Sequence, residues 1–309
     1  MPTVPPSASF DAQVAPHRRA LHLHCYRLLA SFSEAEDQVQ ETLLRAWRAW
    51  SSFDSATGEP GLRRWLYRIA TNACLDHLKS STRKLSSLSR SFAEVPWLEP
   101  YADSLLDGAT TKETIALGYL ALIQLLPARQ RAVLVLRDVL GWSAAETAAA
   151  LELTVVAVNS SLARARDTVG KHDAPAATEP TEEERAVLAA YIDAHQRGDV
   201  AASIAMMAKD IRVTMPPHPV FYEGVAALTP LLERAFGAGA MGEWRLVPIW
   251  LNRQPAAVCY LRRPGDAELR AFKLDVLVVR GGKVAEITTF GIGLLPAFGV
   301  PPILGSAPS

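Results

Sequence analysis

No run of about 18 consecutive apolar residues occurs anywhere in the 309 residues, so the sequence offers no bilayer-spanning helix. Cysteine is scarce. Cys25, Cys74 and Cys259 are odd in number and far apart, which excludes a disulfide framework. His22, His24 and Cys25 lie close together, but on a helix His24 points away from the other two. No second ligand pair stands at zinc-like spacing, so neither a metal nor another cofactor is expected. Net charge is absent too: 32 Lys and Arg balance 32 Asp and Glu. A free-standing DNA binder is usually basic. The opening MPTVPPSASF has no basic residue, which speaks against a secretory signal and for a cytoplasmic protein.

The charge that is present is unevenly placed. Between Arg63 and Lys84 the cations Arg63, Arg64, Arg68, Lys79, Arg83 and Lys84 face only Asp76, while Glu34, Glu36, Asp37 and Glu41 gather before them. A chain that meets nucleic acid on one face and a protein on another carries such a pattern. The length suggests two or three domains. Composition divides it into helical residues 11–84, an irregular connector at 85–111, helical residues 112–170, a polar Ala/Pro linker at 171–180, and a mixed segment from 181.

In the first block Ser33 and Glu36 fit a capping box. Val39, Leu43, Ala46, Trp47 and Trp50 then recur at helical spacing as a core stripe. Asp37, Gln40, Glu41, Leu44 and Arg48 fall on another face, with Leu44 apolar among polar neighbours. After a break at Gly58–Gly61 a helix over 62–79 buries Leu62, Leu66, Ile69 and Ala73. Its other face collects Trp65, Arg68, Asn72, Asp76 and Lys79. A ring for stacking beside cations for phosphates suits single-stranded nucleic acid; a solvated face with a half-buried tryptophan is the plainer alternative.

Residues 127–167 carry a helix-turn-helix pattern. Pro127 opens one helix, Ser143 and Glu146 box the next, and Thr154 caps a third. In that third helix Val158, Leu162 and Ala165 point inward. Val156, Asn159, Ser160 and Ala163 point outward, flanked by Arg164 and Arg166. Short polar side chains near a helix start are what a recognition helix offers to base edges.

SEAEDQVQETLLRAWRAW resembles the second conserved region of sigma-70-like factors. LRRWLYRIATNACLDHLKS looks like its continuation in the extracytoplasmic-function class, and LPARQRAVLVLRDVLGWSAAETAAALELTVVAVNSSLARAR looks like the fourth region. The resemblance implies two all-α sigma domains, a helical bundle and a helix-turn-helix. It implies core RNA polymerase and promoter DNA as partners. Asp37, Gln40, Glu41, Leu44 and Arg48 would dock on core. Trp65, Arg68, Asn72, Asp76 and Lys79 would capture and unpair the −10 element. Thr154, Val156, Asn159, Ser160, Ala163, Arg164 and Arg166 would meet the −35 element. The connector would thread toward the polymerase active site. Two departures stand out: Glu152 replaces the usual turn glycine, and Val156 and Ala163 make the −35 surface unusually apolar.

From residue 181 a third capping box (Thr181, Glu184) starts a helix that stops at Gly198. A short helix, a strand near 211–215, a Pro-rich loop (Pro216, Pro217, Pro219) and a helix near 226–236 follow. Strands are predicted near 244–250, 256–262, 269–279 and 283–290, the last two joined at Arg280-Gly281-Gly282. VTMPPHPVFYEG and KVAEITTF resemble the SnoaL-like cone-shaped α+β domains, related to polyketide cyclases and nuclear transport factor 2. The domain would span 181–295, with a tail at 296–309. This fold hosts enzymes and binding modules alike. His195, Asp210, His218 and Asp275 are the acid–base candidates. Met215, Phe221, Tyr222, Trp250, Phe272 and Phe290 suit either a pocket or plain core. A regulatory domain acting in cis is the leading expectation, with a small ligand left open. A cyclase- or isomerase-like enzyme is the rival.

Overall fold

The computed structural model describes residues 7–80, 95–106, 110, 114–170, 179–237 and 240–305. The linker expected at 171–180 therefore falls mostly outside the described residues, as do 81–94 of the first block and connector. The chain forms two units: residues 1–89 with 118–173, and residues 90–117 with 174–309.

The helical unit begins with α1 (Ser7–Val14), α2 (Arg18–Leu29), α3 (Phe32–Arg48) and α4 (Gly58–Ser80). Ala30 takes a left-handed conformation and ends α2, and Ser31 then caps α3 by accepting from Glu34 N. The expected cap was Ser33. Both serines have a glutamate three residues on, and the turn at Ala30 decides between them. α4 starts at Gly58, earlier than expected, with the predicted break absorbed into its first turn. The interior is apolar: Leu21, Leu28 and Leu29 of α2 pack with Val39, Ala46, Leu62 and Leu66. Trp47 does not belong to it; it is 40% exposed.

The same unit continues through α5 (Leu117–Gln124), α6 (Ala128–Leu134), a π turn (Val135–Val139), α7 (Ala144–Leu151) and α8 (Val155–Val169). The Ser143/Glu146 box and the Thr154 cap form as expected. Glu152 does adopt the left-handed conformation, φ 54° and ψ 50°, so it carries about 1 kcal/mol of strain that glycine would avoid. Arg131 is buried beneath these helices. It donates to the carbonyls of Leu28, Ile123, Gln124 and Leu126 and to the Gln124 side chain at 2.5–3.3 Å. Its charge sits where the C-terminal ends of α2 and α5 concentrate negative potential.

The second unit holds α9 (Glu182–Gln196), α10 (Val200–Ala205), α11 (Val225–Phe236) and six strands: β1 (Met207–Met215), β2 (His218–Glu223), β3 (Glu243–Leu251), β4 (Gln254–Arg262), β5 (Arg270–Arg280) and β6 (Lys283–Phe290). The sheet runs β2-β1-β6-β5-β4-β3, with β1 and β6 parallel and the other pairs antiparallel. β2 was expected as a loop. β2 lies at the sheet edge, where strands admit a proline in their sequence. Val187, Leu188, Tyr191, Leu228 and Leu232 of the helices pack on Ile211, Leu246, Ala257 and Leu277 of the sheet. The expected tail is partly ordered: Ala271 N donates to Pro302 O, Leu304 N to Leu269 O and the Tyr260 hydroxyl to Pro301 O, each within 2.9 Å.

Candidate nucleic-acid interface

On α3, Asp37, Gln40, Leu44 and Arg48 are exposed and Glu41 is half-buried. They lie off the face that buries Ala35, Val39 and Ala46, so this surface is free of structural duty. Leu44 is 42% exposed, and Trp47, one turn on, adds a second bare apolar group that the sequence reading placed in the core. Two such groups rimmed by polar side chains make this stretch of α3 more apolar than an ordinary solvated face. Glu41 accepts from Arg45 at 2.6 Å, and Arg45 also reaches Asp76 at 3.0 Å.

On α4, Trp65 stacks in an aromatic cluster with Phe53 and Trp50, at 5.2 and 6.0 Å between ring centres. Arg68 is exposed and Asn72 half-buried. Asp76 pairs with Arg45 and Lys79, each at 3.0 Å, and Lys79 first and Arg45 next hold its carboxyl below the usual range. The upper part of this face turns toward α7. Arg64 pairs with Glu146 at 2.8 Å, and Asn72 reaches the Ala150 carbonyl at 3.4 Å. A cavity of about 490 Å³ opens there, lined by Arg64, Trp65, Arg68, Trp142, Glu146 and Ala150 among others.

On α8 all seven predicted contact residues, Thr154, Val156, Asn159, Ser160, Ala163, Arg164 and Arg166, are exposed, while Val158, Leu162 and Ala165 are buried. Val156 is 75% exposed, the barest large apolar side chain described. Arg166 is already engaged. Its guanidinium forks onto Asp138 at 2.9 and 2.7 Å. Arg164 has only a long contact to Ser161, at 3.5 Å.

The connector makes contacts that the sequence reading did not foresee. Its described part folds on the β3–β4 hairpin of its own unit. Asn252, fully buried, accepts from Tyr101 N through Oδ1, donates to the Ile115 carbonyl through Nδ2, and donates its backbone N–H to the Tyr101 carbonyl, each at 2.8 Å. Arg253 N donates to Asp103 at 2.8 Å and its Nε donates to the Thr110 carbonyl at 3.2 Å. Leu117 N donates to Gln254 Oε1 at 2.9 Å. Asn252 and Arg253 thus hold the described part of the connector, and Gln254 holds the first residue of α5 beyond it. Asn252 and Arg253 pay for this position with φ of 55° and 57°. The hairpin turn needs left-handed residues, which Asn tolerates and Arg does not favour.

In the C-terminal domain His195 and Asp275 come together, whereas Asp210 and His218 lie on the surface. Asp275 is fully buried. It accepts from Lys273 at 2.6 Å, the Tyr191 hydroxyl at 2.9 Å and the Thr289 hydroxyl at 2.6 Å. Burial alone would raise its pKa, but the Lys273 charge and these donors hold it below the carboxylate range. Burial likewise opposes the Lys273 charge, and Asp275 overrides it, so Lys273 stays up. Burial first, then the Lys273 charge, pushes His195 down to about 4. Of the aromatic and sulfur candidates, Met215 and Phe272 line a cavity above this group, and Phe290 is buried.

Among the described residues no three His, Cys, Asp or Glu side chains converge as metal ligands, and no helix is long and apolar enough to cross a membrane. His24 is spent on Thr71, at 2.8 Å. Family models described as Sigma-70 region 2, Sigma-70 region 4 and SnoaL-like domain match residues 14–84, 117–169 and 188–287. The ECF RNA polymerase sigma factor SigG of Mycobacterium tuberculosis is 39% identical over 315 residues, covering 94% of this chain and 84% of SigG. SigJ of the same organism is 26% identical, covering 87% and 88% of the two chains. The crystal structure of the Mycobacterium tuberculosis SigJ superimposes with a TM-score of 0.62 at 20% identity, over 93% of this chain and 96% of that one, which supports the order of folds. With both sigma regions matched in sequence and a relative this similar along nearly its whole length, the chain belongs to the ECF RNA polymerase sigma factors and carries a SnoaL-like domain at its C-terminal side.

Proposed function

We propose that α3 docks on core RNA polymerase through Asp37, Gln40, Glu41, Leu44 and Arg48, joined by Trp47. On this reading α4 separates promoter strands through Trp65, Arg68 and Asn72, with Asp76 and Lys79 bracing its far end, and α8 reads the −35 element. The observation that carries the reading is the sorting of side chains: on all three helices the named residues lie outside the packed stripe while their neighbours fill the core. α7 leans on the upper part of the α4 face through one exposed ion pair and one long hydrogen bond. Such contacts contribute about 1 kcal/mol or less each, so polymerase binding can displace them. The test is run-off transcription by this protein with and without core enzyme, in the cytoplasmic setting where that enzyme works. Product only with core supports the reading; duplex binding and activity independent of core oppose it.

Within α8 two classes of contact are separable. Asn159→Ala is expected to relax preference at one −35 position, by about 1–3 kcal/mol for a good base contact. Arg164→Ala is expected to weaken all promoters alike and to flatten the salt dependence. A −35 library read out by transcription distinguishes them. Arg166→Ala should act partly through stability, since it also frees Asp138.

The C-terminal domain regulates rather than catalyses on this reading. Asp275 is tied up by Lys273, the Tyr191 hydroxyl and the Thr289 hydroxyl, so its carboxylate serves as a structural acceptor on this reading. Its regulatory handle is the hold on the connector. A segment bound to Asn252 and Arg253 is unavailable to thread into polymerase, so the hold restrains initiation. Asn252→Ala leaves the Tyr101 N–H and Ile115 carbonyl without their side-chain partners, at about 1–3 kcal/mol each. The expected outcome is faster protease cleavage between Trp97 and Tyr101 and at least a several-fold rise in promoter output at equal protein level. Faster cleavage with unchanged output would show that the hold is only structural.

A further inference from the structure

Val156 is the residue of α8 that packing does not account for. It occupies the second position of the helix and is 75% exposed. At 3.6 residues per turn it lies about 160° around the helix from Val158, so it points away from the packed stripe of Val158, Leu162 and Ala165. A β-branched residue on an exposed helical face is also a poorer helix former than alanine. Its position is nonetheless well fixed. Thr154 caps the helix by accepting from Ala157 N at 3.1 Å, which orders the first turn. A helical valine has one strongly preferred rotamer, so its two methyls form a preset apolar knob. Ala163, two turns on, lies on nearly the same line and is too small to hold the helix away from a surface.

We infer that Val156 packs against the C5-methyl of a thymine and so sets a preference for a T·A pair within the −35 element, an assignment that rests on α8 being the −35 reader. Base edges in the major groove present hydrogen-bond donors and acceptors, and the thymine methyl is the apolar group among them. Set against a donor or acceptor, a valine strips water from it and returns no bond, which is unfavourable. Set against the methyl, it removes apolar surface from water on both sides. The side chain thus selects the base. Asn159 sets the place. Three residues apart on one helix, the two residues have Cβ atoms about 5–6 Å apart, and successive base pairs are about 3.4 Å apart. The thymine is therefore expected one or two base pairs from the position that Asn159 reads.

Deoxyuridine, which lacks only the methyl, tests this with holoenzyme formed from core polymerase and the full chain. A randomised −35 library first yields the preferred element. Each of its thymines, on either strand, is then replaced singly by deoxyuridine in a promoter-binding competition. One replacement should lower affinity about fourfold, as expected for one buried methyl group. Holoenzyme carrying Val156→Ala should bind the thymine and deoxyuridine promoters equally, and the variant should still associate with core. Three results would overturn the inference and leave α8 as the reader: a preferred element with no T·A pair within two base pairs of the position that responds to Asn159→Ala, equal binding of thymine and deoxyuridine throughout, or a methyl effect undiminished in Val156→Ala. Weaker association of Val156→Ala with core at unchanged base preference would place a protein on the valine and overturn it too. A library with no −35 preference at all would remove the reading of α8 and the inference with it.

Discussion

Replacing Asp37, Gln40 and Glu41 together with alanine is expected to lower affinity for core polymerase by at least about a hundredfold, near 3 kcal/mol, while leaving the helical unit folded. The folded state should tolerate the change because none of the three fills the interior. Only Glu41 holds a neighbour, the Arg45 guanidinium, and an exposed pair of this spacing contributes about 0.3–0.5 kcal/mol. Trp47→Ala is the companion variant. It removes a bare ring from the same face, and as an exposed residue it should cost the fold little and the complex much. Circular dichroism and sedimentation with core separate the two effects. Normal association of the folded triple variant would remove the docking surface from α3.

The second large effect is expected on stability. Arg131→Met should destabilise the helical unit by about 4 kcal/mol, lowering its melting temperature by roughly 10 °C. The methionine fills similar space, but the carbonyls of Leu28, Ile123, Gln124 and Leu126 lose a shared donor. The carbonyl ends of two helices surround the guanidinium. Lysine keeps the charge but not the fork, so Arg131→Lys should recover only part of the loss. Differential scanning calorimetry measures both. A shift under about 1 kcal/mol for Arg131→Met would mean that water readily replaces the guanidinium.

What could be read from the sequence was local. Ser143 with Glu146 and Thr181 with Glu184 close their own loops within one turn, so four residues suffice to recognise them. The same logic slipped at Ser33, because Ser31 offers an equal pattern and Ala30 makes the choice. The burial sorting on α8 was legible from its 3.6-residue period. Asn252 was not legible, since its partners Ile115 and Tyr101 lie 137 and 151 residues away and no periodic signal marks them. β2 was hidden by the cluster of prolines at its start, since Pro216 and Pro217 form the turn that precedes it. Lys273 escaped notice among polar residues of β5. Its importance comes from Asp275 and from a register shift that no local pattern announces. Trp47 was assigned by period to the core, yet 40% of it is exposed, because the helices packed against α3 do not reach that side of it.

These lessons bear on α4, where Arg68 is exposed while Trp65 and Asn72 are half-buried, Trp65 among aromatic rings and Asn72 against the Ala150 carbonyl. Strand separation is the step that distinguishes a sigma factor from a duplex-binding regulator. Permanganate reactivity of −10 thymines measures it directly, using this protein with core polymerase on duplex and pre-melted promoters. The expected result is reactivity on the duplex only when core and protein are both present, lost in Trp65→Ala/Asn72→Ala and largely restored on the pre-melted template. Undiminished opening by that double variant, or opening without core, would contradict the assignment of α4 as the strand-separating helix.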